Sequence, residues 1–293
     1  MPSLLSRLAP LIITLRGSKR QFRSPARTLA AIERARKNPR AFVPKPQKGV
    51  TFSRRDVAGW PVYEVRPDRG ATSRRAVYLH GGVYTFEIDP VHWRFVARLA
   101  VETGTTFVVP IMPLSPIGTA SVVVPGVADL VESLDASEVS ILGDSSGGGM
   151  ALAVAMELRD RGARPLHSIV LIAPWLDISG TDPRLAEIEP RDPWLAIAGT
   201  RAAGALYRAE LNVDDPRVSP IHGSLDSLAP ITLFSGTRDI LNADARRLVA
   251  RAAEVGHPLD FHEGEGMIHN YPILPMPEGD AARALIAATL TAG

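Results

Sequence analysis

Short apolar runs alternate with segments of helical periodicity along most of this chain of 293 residues. We predict strands at 62–65, 76–79, 106–109, 139–142, 168–172, 231–234 and 259–262. We predict helices at 91–102, 127–134, 150–159, 243–254 and 281–289. Strands that alternate with helices form a mostly parallel sheet covered by helices on both faces, the α/β class. Ligands of such sheets bind beyond the carboxyl ends of the strands, so the functional site is expected there.

A Gly-Asp-Ser-Ser-Gly pentapeptide at 143–147 joins the fourth predicted strand to the third predicted helix. A turn this sharp crowds the residues beside the central serine, which favours glycine on both sides. It also raises the serine hydroxyl above the sheet, with the positive end of the following helix behind it. The pattern predicts Ser145 as a nucleophile. The alternative is an ordinary Gly/Ser-rich turn, and other residues must decide between the two.

A serine nucleophile requires a base to take its proton and an acid to orient that base. Of the seven histidines, His269 lies in the loop after the last predicted strand, whereas His262 lies within that strand and should point into a sheet face. Asp239 follows the strand before it, and Asp177, which follows an earlier strand, is the main rival. The order Ser145, Asp239, His269 is that of nucleophile, acid and base in one class of α/β enzymes.

Attack by a serine on a carbonyl group produces a negatively charged oxygen, the oxyanion, which hydrogen-bond donors must stabilise. These donors are expected in two places. One is the backbone N–H of Ser146, at the start of the helix after the pentapeptide. The other is the loop His80-Gly81-Gly82-Val83-Tyr84 after the second predicted strand, where we predict Gly81, Gly82 and Val83 as donors. The alternative is a tight turn in which glycine serves only the backbone dihedral angles.

The composition excludes several kinds of chemistry. The chain has no cysteine, so disulfides, thiolate catalysis and Cys-ligated metal sites are ruled out, and no metal site is predicted. No apolar run is long enough to span a membrane. These features fit an intracellular protein, and we predict a cytoplasmic location.

The basic residues are concentrated near the N-terminus. Residues 1–55 contain 14 Lys or Arg and a single acid, Glu33; removing these from the totals of 33 and 31 leaves 19 basic and 30 acidic residues in 56–293. The first segment is also amphipathic, with apolar residues at helical spacing at Leu4, Leu8, Leu11, Ile12 and Leu15. We favour a helical cap that packs on the acidic body. The alternative is an arm that contacts anionic membrane. Nucleic-acid binding is not predicted, because no nucleic-acid motif accompanies the charge.

One long insertion interrupts the alternation. Residues 179–212 are rich in Pro and Ala and lie between two predicted strands. We interpret them as a lid over the site, and the alternative is a longer crossover with an extra helix. The predicted organisation is therefore an N-terminal arm (1–48), a first part of the core (49–178), a second cap segment (179–212) and a second part of the core (213–293).

Taken together, the motifs resemble the hormone-sensitive-lipase-like family of α/β-hydrolases, the bacterial esterases with an H-G-G-G loop. The matching stretches are His80-Gly81-Gly82, Gly143-Asp144-Ser145-Ser146-Gly147-Gly148, Asp215-Pro216-Arg217-Val218-Ser219-Pro220, Asp239-Ile240-Leu241 and Ile268-His269. The resemblance implies an α/β-hydrolase fold with a helical cap and hydrolysis of acyl esters without a cofactor. Two departures are Val83, which replaces the third glycine of the loop, and 110–116, where the family's Tyr-Arg and Pro-Glu stretch is missing.

On this basis the sequence predicts a serine carboxylesterase for short- to medium-chain acyl esters. The alternatives are a hydrolase of amides, carbamates or lactones with the same fold, and a non-catalytic ligand receptor. The predicted substrate-binding residues are Tyr84, Trp175, Leu176, Trp194 and Tyr207. A homodimer through the last predicted strand, 259–262, is also expected by analogy with the family.

Overall fold

The computed structural model describes residues 3–39 and 43–292. The strands among these residues form one sheet of eight. The strands are β1 (Val50–Val57), β2 (Trp60–Pro67), β3 (Arg75–Leu79), β4 (Thr106–Pro110), β5 (Val139–Asp144), β6 (Ile169–Ile172), β7 (Ile231–Gly236) and β8 (Leu259–Gly264). Their order across the sheet is β1-β2-β4-β3-β5-β6-β7-β8. β1 and β2, and β2 and β4, pair antiparallel, whereas every other neighbouring pair is parallel.

The helices are α1 (Leu4–Arg16), α2 (Pro25–Lys37), α3 (Pro90–Thr103), α4 (Ala120–Glu132), α5 (Ser146–Asp160), α6 (Arg184–Ile188), α7 (Ile197–Arg208), α8 (Asn242–Val255) and α9 (Pro277–Thr291). α3 and α9 bury apolar residues against one face of the sheet, and α4, α5 and α8 against the other. The predicted α/β class, a mostly parallel sheet with helices on both faces, is confirmed. Among the described residues, no helix has the length and apolar character needed to cross a membrane.

Two elements differ from the prediction. We did not predict β1, because most of its residues are exposed and polar and the strand lacks the apolar run that marked the others. It is held in place by antiparallel pairing with β2 across a tight turn in which Ala58 and Gly59 have φ angles of 50° and 83°. α4 begins at Ala120, seven residues before the predicted start at 127, and continues through Pro125.

The predicted N-terminal helices are present. Ser24 caps α2 by accepting a hydrogen bond from the N–H of Arg27, and Pro25 occupies the first helical turn. α2 packs against α7, so the N-terminal arm contacts the second cap segment. The division of the chain into arm, core and cap segments stays a prediction.

β8 lies at an edge of the sheet, next to β7 alone. This is the position from which a homodimer through that strand was expected, since an edge strand presents unpaired backbone groups. The homodimer itself stays a prediction.

Candidate active site

Ser145 occupies the sharp turn between β5 and α5. Its φ of 55° and ψ of −121° are sparsely populated for a residue with a side chain, and such strain is often found at functional sites. The turn is held by the Ser145 N–H, which donates to the carbonyl of Ile172 at 2.8 Å. Glycine is required at position 147, because a Cβ there would lie 2.0 Å from the carbonyl oxygen of Leu79. The serine thus sits at the carboxyl end of a central strand, directly before a helix N-terminus.

His269 and Asp239 form a buried hydrogen-bonded pair. Asp239 follows β7, His269 follows β8, and the His269 Nδ1 lies 2.7 Å from the Asp239 Oδ2. The other carboxylate oxygen accepts the N–H of Leu241 at 2.9 Å, which fixes its orientation. Burial alone would lower the pKa of His269, but the charge and hydrogen bond of Asp239 outweigh it and raise the pKa above 6.5.

The rival acid is engaged elsewhere. Asp177 accepts a hydrogen bond of 2.7 Å from the Nη1 of Arg247 and another from the N–H of Ser179. His262, the rival base, lies on β8, stacks on Phe234 and contacts Asp260. Of the combinations left open by the sequence, the structure therefore brings Asp239 and His269 together.

A second contact joins the histidine loop to the serine turn. Asn270, next to His269, donates from Nδ2 to the Oδ2 of Asp144 at 2.6 Å, and Asp144 directly precedes Ser145. The loop after β3 also lies against this turn, because a Cβ at Gly81 would be 3.0 Å from the Cβ of Ser145. The ends of β3, β5 and β8 therefore meet at one place.

The backbone N–H groups that were predicted as oxyanion donors differ in whether the fold already uses them. The N–H of Gly81 donates to the Asp144 Oδ1 at 3.0 Å, so this predicted oxyanion donor is already used within the fold. Within the described ranges, the N–H groups of Gly82, Val83 and Ser146 have no hydrogen-bond acceptor. Tyr84 anchors the loop by donating its N–H to the Ser146 Oγ at 3.2 Å. Three of the four predicted donors remain available to a ligand.

Asp144 is fully buried and connects all of these elements. Besides Gly81 and Asn270, it accepts the hydroxyl of Tyr78 at 2.5 Å and lies 3.4 Å from the Nε2 of His92. Burial raises the pKa of Asp144, but the positive charge of His92 and the hydrogen bonds hold it at about 2. Burial lowers the pKa of His92, but Asp144 and Asp89 raise it to about 10. We therefore expect the pair of Asp144 and His92 to be ionised at neutral pH.

We expect Asp144→Asn to lower the free energy of unfolding by about 3 kcal/mol or more, because it removes one of the two carboxylates that face the buried His92 ring and leaves only Asp89, 3.2 Å from its Nδ1. Asp144, with a pKa lowered from 3.8 to about 2, stabilises the fold above pH 3.8 and loses this contribution as the pH falls toward 2. His92, raised from 6.5 to about 10, contributes fully below pH 6.5 and loses its contribution as the pH rises toward 10. The free energies of unfolding of the wild type and Asp144→Asn, measured in urea, should therefore differ most between pH 3.8 and pH 6.5. A difference independent of pH would contradict the ionised pair.

The predicted second cap segment contacts the region of Asp239 and His269 through Asp192 and Trp194. This buried carboxylate accepts the N–H groups of Trp194 and Leu195 through Oδ1 and that of Ile240, next to Asp239, through Oδ2 at 2.9 Å. Burial and the charge of Asp239 raise the pKa of Asp192 to about 6. The Trp194 ring packs edge-on against the His269 ring, with the centroids 5.8 Å apart. Trp194 is thus the predicted pocket residue that contacts the base.

Three other predicted pocket residues form an aromatic stack. The rings of Tyr84 and Tyr207 are nearly parallel with centroids 3.6 Å apart, and Trp175 lies 5.4 Å from Tyr84. All three side chains are buried, as is Leu176. The stack joins the loop after β3 to α7 of the second cap segment. Whether these side chains and Leu176 bind substrate stays a prediction.

We did not predict the connecting roles of Asp144, His92, Asn270 and Asp192. We identified no partner for His92 nearby in sequence, although Asp89, three residues earlier, lies 3.2 Å from its Nδ1. Asp192 lies in a segment that we interpreted only as a lid or crossover. The one available signal was position: Asp144 and Asn270 are the immediate neighbours of Ser145 and His269.

Comparisons with known proteins agree with this geometry. Residues 76–273 match a family model described as alpha/beta hydrolase fold. An acetyl-hydrolase of Streptomyces hygroscopicus is 30% identical over 221 residues, which cover 72% of this chain and 73% of that protein. A triacylglycerol lipase of Mycobacterium tuberculosis is 34% identical over 221 residues, which cover 74% of this chain but only 46% of the lipase.

Solved structures give the same picture. The crystal structure of an esterase from the bacterial hormone-sensitive lipase family is 26% identical to this chain, with a TM-score of 0.77. The match covers 91% of this chain and 97% of that one. The likeness therefore extends over most of the chain.

Proposed function

This chain belongs to the alpha/beta hydrolase fold family, and from that premise we propose that it is a serine carboxylesterase with Ser145 as the nucleophile. Its relatives named acetyl-hydrolase, esterase and lipase support hydrolysis of carboxylic esters. The observation that carries the assignment is the buried hydrogen bond of 2.7 Å between His269 Nδ1 and Asp239 Oδ2. It leaves Nε2 of the same ring to accept a proton.

The proposed reaction has two half-reactions. His269 takes the hydroxyl proton as Ser145 attacks the ester carbonyl, and a tetrahedral oxyanion forms. The N–H groups of Gly82, Val83 and Ser146 stabilise that oxyanion, an effect worth roughly a hundredfold or more for each donor. His269 then protonates the leaving alcohol, which leaves an acyl group on Ser145. Water, deprotonated by His269, attacks the acyl-enzyme and releases the acid.

The side chains around the turn at Ser145 favour small to medium acyl groups. The stack of Tyr84, Tyr207 and Trp175 occupies the space between the loop after β3 and α7. A cavity of about 660 Å³ remains open between the N-terminal arm and the residues that follow this loop, Thr85 and Phe86 among them. We propose this cavity as the route for a small-molecule ester between arm and core.

Two measurements test the proposal. A fluorophosphonate probe should label the folded protein on the peptide that contains Ser145, since such probes react with activated serines. A series of p-nitrophenyl esters from acetate to palmitate should give its highest kcat/KM at acetate or butyrate. An unlabelled protein would favour the receptor interpretation. Faster turnover of amides, carbamates or lactones would change the substrate class, and a maximum on emulsified long-chain triglyceride would contradict the proposed preference for small to medium acyl groups.

A further inference from the structure

The outer face of α1 is apolar and exposed. Its large side chains are between 40% and 75% exposed: Leu4, Leu5, Leu8, Leu11, Ile12 and Leu15. A contiguous row of this kind on one helix is unusual for a protein surface and marks an interaction site. We call these six residues the α1 patch.

The opposite side of the same helix faces the protein. Ser6 and Pro10 are buried, and Glu278 at the start of α9 accepts hydrogen bonds from the Ser3 N–H at 2.5 Å and from the Ser6 hydroxyl at 3.0 Å. These contacts fix the helix with its apolar side outward. The α1 patch is thus a consequence of how α1 is anchored.

Basic side chains border the α1 patch. A cavity of about 610 Å³ beside Leu11 is lined by Lys19, Arg20, Arg23, Arg191 and Arg238. Lys19 donates to the carbonyl oxygens of Glu189 and Asp192. In the part of the chain that the structure describes, none of the four arginines forms an ion pair. Asp192 lines the same cavity, but its carboxylate accepts backbone N–H groups and forms no ion pair with these arginines.

From this arrangement we propose that α1 and its basic border are a docking site for an anionic lipid surface. The apolar side chains of such a helix enter the boundary between headgroups and acyl chains, and lysines and arginines beside them attract anionic headgroups. α1 has 13 residues and is therefore about 20 Å long, which suits a helix lying in the plane of the interface.

A second copy of the chain fits the α1 patch less well. In a twofold-symmetric contact the same surface meets itself, so the arginines of the two copies would face each other. The excess of basic residues is also specific to this region, since 56–293 carries more acidic than basic residues. Opposite charge favours the lipid surface over self-association.

Vesicle co-sedimentation tests the proposal with the full chain. The wild type should bind vesicles of phosphatidylcholine mixed with phosphatidylglycerol much more strongly than phosphatidylcholine alone, and binding should weaken with salt. Leu11→Ser with Leu15→Ser should lower the partition coefficient roughly tenfold or more. Arg20→Gln with Arg23→Gln should lower it roughly twentyfold.

The matched controls lie on surfaces away from α1. Val255→Ser, at an exposed valine of α8, and Arg66→Gln with Arg69→Gln should bind vesicles like the wild type. All variants should hydrolyse a soluble p-nitrophenyl ester equally, which separates this test from that of the catalytic proposal. Equal binding to both kinds of vesicle, or unchanged binding by both arm variants, would overturn the proposal. So would calorimetric binding of inorganic phosphate without vesicle binding, or a wild-type dimer that Leu11→Ser with Leu15→Ser dissociates.

Discussion

Replacing Ser145 by alanine is expected to lower kcat/KM for p-nitrophenyl butyrate by about a thousandfold or more. The change removes the proposed nucleophilic oxygen but leaves the backbone N–H groups of the proposed oxyanion site in place. The residual rate should therefore be that of substrate binding and oxyanion stabilisation alone. The measurement is steady-state kinetics on purified protein, with a thermal unfolding curve to confirm that the variant is folded.

Ser146→Ala is the matched control, because Ser145 and Ser146 are neighbours in the turn between β5 and α5. The Ser146 hydroxyl accepts the N–H of Tyr84 at 3.2 Å, and only the backbone N–H of Ser146 is proposed to bind the oxyanion. We expect a loss of at most about tenfold, from looser positioning of the loop. If Ser146→Ala were the inactive variant and Ser145→Ala retained activity, the nucleophile would be misassigned.

The residues that could be predicted from the sequence are those whose position is fixed by local chain geometry. A nucleophile turn requires its glycines within two residues of the serine, and an acid or base must follow the end of a strand. Ser145, Asp239 and His269 satisfy these short-range requirements, so they could be predicted as nucleophile, acid and base before the fold was known. The same holds for the seven strands with apolar runs.

The missing parts depend on contacts between distant positions. The Asp144 carboxylate receives Tyr78 from 66 positions away, His92 from 52 and Asn270 from 126. No periodicity or spacing links such residues, and a buried ion pair appears in a sequence only as two unrelated charged positions. β1 was missed for a related reason, because its register is set by pairing with β2 and its own side chains are mostly exposed.

Asp239→Asn should lower kcat by roughly ten-thousandfold, because an amide no longer fixes the imidazole in the tautomer that accepts the serine proton. The pH dependence should change as well. In the wild type, burial lowers the pKa of His269, but the charge and hydrogen bond of Asp239 together have the larger effect and raise it. Without that charge, burial is opposed only by the smaller effects of the Asp192 and Asp144 charges, so the pKa falls. Since the base must be neutral to act, the acid limb of the pH profile of kcat/KM should move to lower pH.

Asp177→Asn provides the comparison that separates the two acids considered from the sequence. Asp177 binds Arg247 and the N–H of Ser179, so its amide variant should be less stable in urea yet keep kcat/KM within about tenfold of the wild type. Its acid limb should not move, because the carboxylate of Asp239 still faces His269 at 2.7 Å. A larger kinetic loss for Asp177→Asn than for Asp239→Asn would reverse the assignment. The pH profiles would then identify the carboxylate that raises the pKa of His269, since only the loss of that carboxylate can move the acid limb of the profile.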